Sequence, residues 1–175
     1  MTSSPSRQIQ RWIPQALLAA KTWEIDPYVL GALAVQESGG IYVLPDGSCN
    51  PYAIRPEPGF WRSYAAGIRR FVEGSPSTHD NRWYQFEDIY SCSFGLCQVM
   101  YQTALEHDFV GKFPTELCDP QTGLDFGAKV FSRHLKRTLG DTDRALLRYN
   151  GGGDPAYPAK IHNHLRALKE DRVFG

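Results

Sequence analysis

Glu37 sits in the segment Ala34-Val35-Gln36-Glu37-Ser38-Gly39-Gly40, where an apolar helix runs straight into a glycine-rich exit. A carboxyl group at the end of a core-facing helix is placed for proton chemistry. Burial disfavours its charged form and raises its pKa, and a glutamic acid kept partly protonated at neutral pH is the general acid that breaking an acetal or glycosidic bond requires. The positioning element is readable upstream. Asp26 is a fitting N-cap and Pro27 a fitting first helical residue, while Leu30, Leu33 and Ala34 form a core stripe that reaches Glu37 four residues after Leu33. Taken alone, the same letters also describe a semi-exposed glutamate in a last helical turn.

Two further segments follow in order, Ser91-Cys92-Ser93-Phe94-Gly95-Leu96-Cys97-Gln98-Val99-Met100 and Ala145-Leu146-Leu147-Arg148-Tyr149-Asn150-Gly151-Gly152. Together the three resemble the lysozyme-like family of soluble lytic transglycosylases and goose-type lysozymes. That family shows a Glu-Ser pair closing a helix, then Gly-Leu-Met-Gln before the next helix, then Ala-Tyr-Asn-x-Gly. Gly95, Leu96 and Gln98 match the second motif with Cys97 in place of its methionine; Tyr149, Asn150 and Gly151 match the third with Arg148 in place of its alanine. The resemblance runs from about Asp26 to Leu168. It implies an all-α, lysozyme-like domain of two helical lobes with a substrate cleft and Glu37 at its floor, spanning residues 1–175, with residues 1–25 as an N-terminal helix packed upon it. It also implies peptidoglycan glycan strands as substrate and no cofactor or metal.

In a lytic transglycosylase the glutamic acid protonates the leaving oxygen, and the muramic acid's own C6 hydroxyl then attacks C1 with help from the N-acetyl group. The product is a 1,6-anhydro sugar, and neither water nor a second protein carboxylate is needed, a departure from the two-carboxylate scheme. A goose-type muramidase would use water instead, and a non-catalytic wall-binding or virion module stands as the alternative of another class. Glu57, in Arg55-Pro56-Glu57-Pro58, is the candidate second carboxylate. It resembles an Arg-Tyr-Glu-Pro segment of some phage and bacterial relatives, with Pro56 in the tyrosine's place, and would position water or substrate if it faces the cleft. Its other reading, preferred on the sequence, is a charge stabilised at a helix N-terminus. By the same resemblance Ser93 would hydrogen-bond Glu37 or substrate, and Gln98 would offer its amide to sugar. Tyr149 would bring its hydroxyl near Glu37, and Asn150 would bind backbone or sugar.

The sequence predicts helices near Arg7–Trp23, Pro27–Ser38, Pro58–Glu73, Val99–His107, Pro120–Leu139, Thr142–Tyr149 and Pro158–Lys169. Asp119-Pro120 and Tyr157-Pro158 read as helix entries and Gly140 as a stop. Leu124, Ala128, Phe131, Leu135 and Leu139 mark one apolar stripe, as do Trp12, Ile13, Ala16, Leu17 and Ala20 near the N-terminus. Between Gly74 and Tyr90, Trp83, Tyr84, Phe86 and Tyr90 suit either a cleft loop facing sugar rings or local packing.

With 175 residues, 42% of them hydrophobic, the chain is long enough for one domain with a real core. Lys+Arg and Asp+Glu balance at 19 each, so the net charge gives no sign of a nucleic-acid partner or an anionic membrane surface, and no nucleic acid is expected. No apolar run reaches the roughly 18 residues of a membrane span, and a monomer is expected. The N-terminus lacks the apolar core of a secretory signal, so either a signal has been lost from this sequence or delivery to the wall is expected by another route: phage-encoded and released through membrane holes, carried in a virion, or sent as an effector of contact-dependent secretion. Cys49, Cys92, Cys97 and Cys118 fit no zinc spacing; one or two disulfides and buried thiols both remain open. His162-Asn163-His164 spells a nuclease-like motif but sits on an amphipathic helix, and His79, His107 and His134 read as surface or helix-end residues.

Overall fold

A computed structural model describes residues 3–39, 42–57, 59 and 91–175. The predicted helix Pro58–Glu73, apart from Gly59, and the aromatic segment Gly74–Tyr90 lie outside the described residues. Helices dominate: α1 (Pro5–Ile9), α2 (Ile13–Trp23), α3 (Pro27–Ser38), α4 (Tyr101–Glu106), α5 (Pro120–Arg137), α6 (Thr142–Tyr149) and α7 (Tyr157–Glu170). Short 3-10 turns cover Gln10–Trp12 and Pro114–Cys118. None of the described helices is long and apolar enough to cross a membrane.

The expected first helix is broken into α1, a 3-10 turn and α2. Pro14 is the cause: it has no N–H to give the Gln10 carbonyl, and its ring crowds that carbonyl, so the chain restarts with proline in the first turn of α2. The restart also changes the buried face. Ala16, Ala19 and Ala20 go inward, whereas Leu17, expected on the apolar side, is 40% exposed. At the other end of the α5 stripe, Leu124, Ala128 and Phe131 are buried and Leu135 packs partly on the core, but Leu139 is 96% exposed. The helix has already ended: Leu139 (φ 56°) and Gly140 (φ 87°) both adopt the left-handed region, and the Gly140 N–H closes onto the Leu135 carbonyl at 2.9 Å.

The helices share one core drawn from Ile9 near the N-terminus to Leu168 near the C-terminus. Its principal packings are α2 on α5 and α3 on α7. Phe174 packs on α3 at Gly31, where a Cβ would come within 2.9 Å of its ring. A small antiparallel sheet, absent from the helical expectation, joins β1 (Ile54–Pro56), β2 (Cys92–Phe94) and β3 (Val99–Met100) in that order. Its register sets Arg55 opposite Ser93 and Ser93 opposite Met100. Pro56 is accommodated on β1, at the edge of this sheet.

None of the four cysteines is joined to another in a disulfide. Cys49 and Cys97 are fully buried. Burial pushes the Cys49 thiol up to about 11 and that of Cys97 higher, so neither is a nucleophile near neutral pH. They pack as small apolar side chains.

Candidate active site

α3 is buried on nearly every side, which explains how a carboxyl at its last turn is kept from water. Asp26 caps it by accepting the Tyr28 N–H at 2.8 Å, and Gly39 ends it with an N–H to the Val35 carbonyl at 2.9 Å. Position 39 has no room for a side chain: a Cβ would fall 2.0 Å from Gln8 Oε1. Ser38 turns back to the Ala34 carbonyl at 2.9 Å, so Glu37 alone of the closing Glu-Ser pair is available for chemistry. It is 8% exposed.

Two walls meet at its carboxyl. From the helical side, Tyr157 at the start of α7 donates its hydroxyl to Glu37 Oε1 at 2.5 Å. From the sheet side, Arg55 reaches Glu37 Oε2 with Nη2 at 3.3 Å and Glu57 Oε1 with Nε at 2.7 Å. Arg55 and Glu57, two apart along an extended chain, project to the same face. The Glu57 N–H continues the ladder onto the Ser91 carbonyl at 2.7 Å. Exposed as it is, this ion pair is worth only about 0–1 kcal/mol to stability, so its importance lies in the charge it sets beside Glu37.

Burial is the largest influence on Glu37 and raises its pKa; the Tyr157 hydrogen bond and the Arg55 charge pull the other way, and the Glu57 charge adds to the rise. Desolvation wins, leaving a carboxyl that holds its proton above the ordinary glutamate range. Such a group can deliver a proton and then, as a carboxylate stabilised by a hydroxyl and a guanidinium, take one back.

The remaining sequence candidates converge on the turn Gly95–Gln98. Gln98 is buried at a left-handed φ of 48°, and its amide is spent inside the protein: Nε2 donates to the Ala53 carbonyl at 2.9 Å and the Gly95 carbonyl at 2.8 Å, and Oε1 accepts Ser93 Oγ at 2.8 Å. The expectation that this amide is offered to sugar therefore gives way to an internal bracing role. Ser93 Oγ also lies 3.3 Å from Glu57 Oε1, so the serine touches the second carboxylate rather than Glu37. Gly95, at φ 74°, is compelled by space as well as conformation, because a Cβ would sit 2.2 Å from the Leu117 carbonyl.

Tyr149 does not hydrogen-bond Glu37; its hydroxyl donates to the Cys97 carbonyl at 2.8 Å, tying α6 to the same turn. Asn150 caps α6 and accepts the Asp154 N–H at 3.0 Å through Oδ1, fixing the return loop toward Tyr157. Of the histidines, His162 pairs with Asp143 at 2.6 Å and His164 meets Gln36 at 3.2 Å. His107 ends α4 but is buried, and burial with the neighbouring cations depresses it to about 4. Among the described residues, no group of three or more His, Cys, Asp or Glu is arranged to hold a metal ion.

Sequence reasoning missed two residues in contact with Glu37. In the sequence, Tyr157 is only the aromatic before a helix-starting proline, and Arg55 only part of the segment carrying Glu57. The signal for Arg55 was its two-residue spacing from Glu57. Tyr157 had no local signal, lying 120 positions from its partner.

Compared with known protein families, residues 15–164 match the Transglycosylase SLT domain. The chain belongs to this family. The match takes in α3, the sheet, the Gly95–Gln98 turn, α6 and Tyr157. An SLT domain acts on peptidoglycan, so the cell wall is this domain's substrate and place of action. A comparison with curated proteins returned no match.

Proposed function

We propose that this SLT domain cleaves the β-1,4 bond between N-acetylmuramic acid and N-acetylglucosamine by lytic transglycosylation, with Glu37 as both acid and base. The observation that carries the reading is the asymmetry of the two carboxylates: Glu37 is buried with a raised pKa, while Glu57 is ion-paired at 2.7 Å with Arg55. Glu37 gives its proton to the leaving oxygen as the C1–O bond breaks, and the substrate's acetamido oxygen covers C1. The Glu37 carboxylate then accepts the C6 hydroxyl proton as that oxygen closes on C1, so one group serves both halves of the reaction.

Tyr157 supports this by fixing one carboxyl oxygen, and Arg55 by stabilising the charge that appears on the other after proton delivery. Gln98 and Tyr149 act at one remove, bracing the turn beside the reacting bond. Asn150, with Oδ1 committed to the loop, offers its amide N–H groups to sugar, and Ser93 with Glu57 forms the polar sheet wall.

Mass spectrometry of purified wall digested by the protein tests the reading. Muropeptides ending in anhydromuramic acid are expected. Products one water heavier would assign a hydrolytic muramidase, and no released fragments would leave only a binding module.

A further inference from the structure

The C-terminal half of α5, the outer side of α6 and the turn that follows enclose an open groove of about 440 Å³, lined by His134, Arg144, Leu147, Arg148, Gly151 and Gly152. Arg144 and Arg148 stand four residues apart on α6 and so share one face. Among the described residues, neither has a carboxylate partner. The nearby carboxylates are engaged elsewhere: Asp141 caps α6 through the Arg144 backbone N–H, Asp143 pairs with His162, and Asp154 with Lys160. Leu147 supplies an apolar surface beside the two cations, and Gly151 and Gly152, at φ 72° and 76°, form a lip with open space where side chains would be.

We infer that this groove binds carboxylates of the peptide attached to the glycan strand whose sugars lie at Glu37. The inference rests on the wall-cutting reading above. Three observations select the occupant. The groove takes in Arg148, the residue before Tyr149, whose hydroxyl holds the turn at Cys97 and which lies close enough to Glu37 to feel its charge, so a ligand tethered to the strand is within reach. With its own carboxyl joined to the peptide as an amide, the muramic acid has no charge left, so the anionic groups of a peptidoglycan strand reside on the peptides; paired guanidiniums match carboxylates bidentately. Finally, the chain's zero net charge argues against a general polyanion surface, which would spread basic residues widely.

The test uses the Glu37→Gln full chain to bind without cutting. It is titrated, with NMR detection, against an isolated stem peptide with free carboxylates, the same peptide with its carboxylates amidated, and a glycerol-phosphate oligomer. The free-acid peptide is expected to shift the Gly151, Gly152 and Arg148 amides. It should bind about tenfold more tightly than the amidated one, and this advantage should vanish in an Arg144→Gln/Arg148→Gln variant whose melting temperature is unchanged. Equal binding of both peptides, no binding, or tighter binding of the phosphate oligomer overturns the inference. In parallel, the protein with Glu37 intact should cut peptide-bearing strands faster than peptide-stripped ones. Cutting both equally overturns the groove's role alone; cutting neither overturns the wall-cutting reading itself.

Discussion

Glu37 and Glu57 grip the same guanidinium from opposite walls, one from the end of a buried helix and one from beyond the edge of a three-stranded sheet. On the helical wall, Tyr157 and the apolar flanks of α3 leave the carboxyl 8% exposed, and desolvation overrides both of its stabilising partners. On the sheet wall the second carboxylate is 33% exposed and within reach of water. Identical side chains thus acquire different tasks from their surroundings: one keeps a proton to give, and the other holds an arginine in place.

Removing the proton from the buried wall is expected to have the largest effect. Glu37→Gln keeps shape but cannot deliver a proton, and turnover should fall about 10²- to 10⁴-fold. Stability should move the other way. A carboxyl whose folded pKa is raised contributes stability that is complete below its unfolded pKa and is lost as pH rises through the folded one. The wild type should therefore lose melting temperature above the ordinary glutamate range while the glutamine variant does not. Undiminished turnover in folded Glu37→Gln would remove Glu37 from the mechanism.

Next come the two tyrosines, which separate the reacting wall from its bracing. Tyr157→Phe deletes the hydroxyl that steadies Glu37 once its proton has been given up, a bond to a charged group worth roughly 1.5–3 kcal/mol, and should slow turnover on the order of tenfold to a hundredfold. Because that bond lowers the Glu37 pKa, its loss should also shift the alkaline limb of the rate profile to higher pH. Tyr149→Phe instead strips a donor from the Cys97 carbonyl, so about 1–3 kcal/mol of stability should go, with a smaller change in rate. Turnover and urea midpoints measured on both variants decide it; a larger rate loss in Tyr149→Phe would invert the assignment.

How much of this could be read beforehand follows the range of the interactions. Glu37 and its helix were legible because Asp26, Pro27 and Gly39 are local signals whose meaning depends on neighbours a few residues away. The sheet escaped because strands of two or three residues carry no periodicity. Gln98 was correctly placed in the turn, but no motif tells which way an amide faces, and here it faces inward. Tyr157 shows the limit most sharply. Its role comes from α7 packing on α3, a contact made only by the folded chain.

The smallest effect is expected on the wet wall, and it distinguishes the two chemistries. If the C6 hydroxyl is the nucleophile, Glu57 neither activates water nor touches the reacting atoms, and Glu57→Gln should change turnover by no more than a factor of about 3, with anhydro ends persisting. A shift in pH dependence should still appear. The Glu57 charge raises the Glu37 pKa and occupies Arg55 Nε; neutralising it removes the first influence and leaves the guanidinium more fully to Glu37. Both changes stabilise the Glu37 carboxylate, so the alkaline limb should move to lower pH, opposite in sign to the shift in Tyr157→Phe. A collapse of rate comparable to that of Glu37→Gln, with products one water heavier, would instead make Glu57 the base that activates water, and the sheet wall would then belong to the chemistry itself.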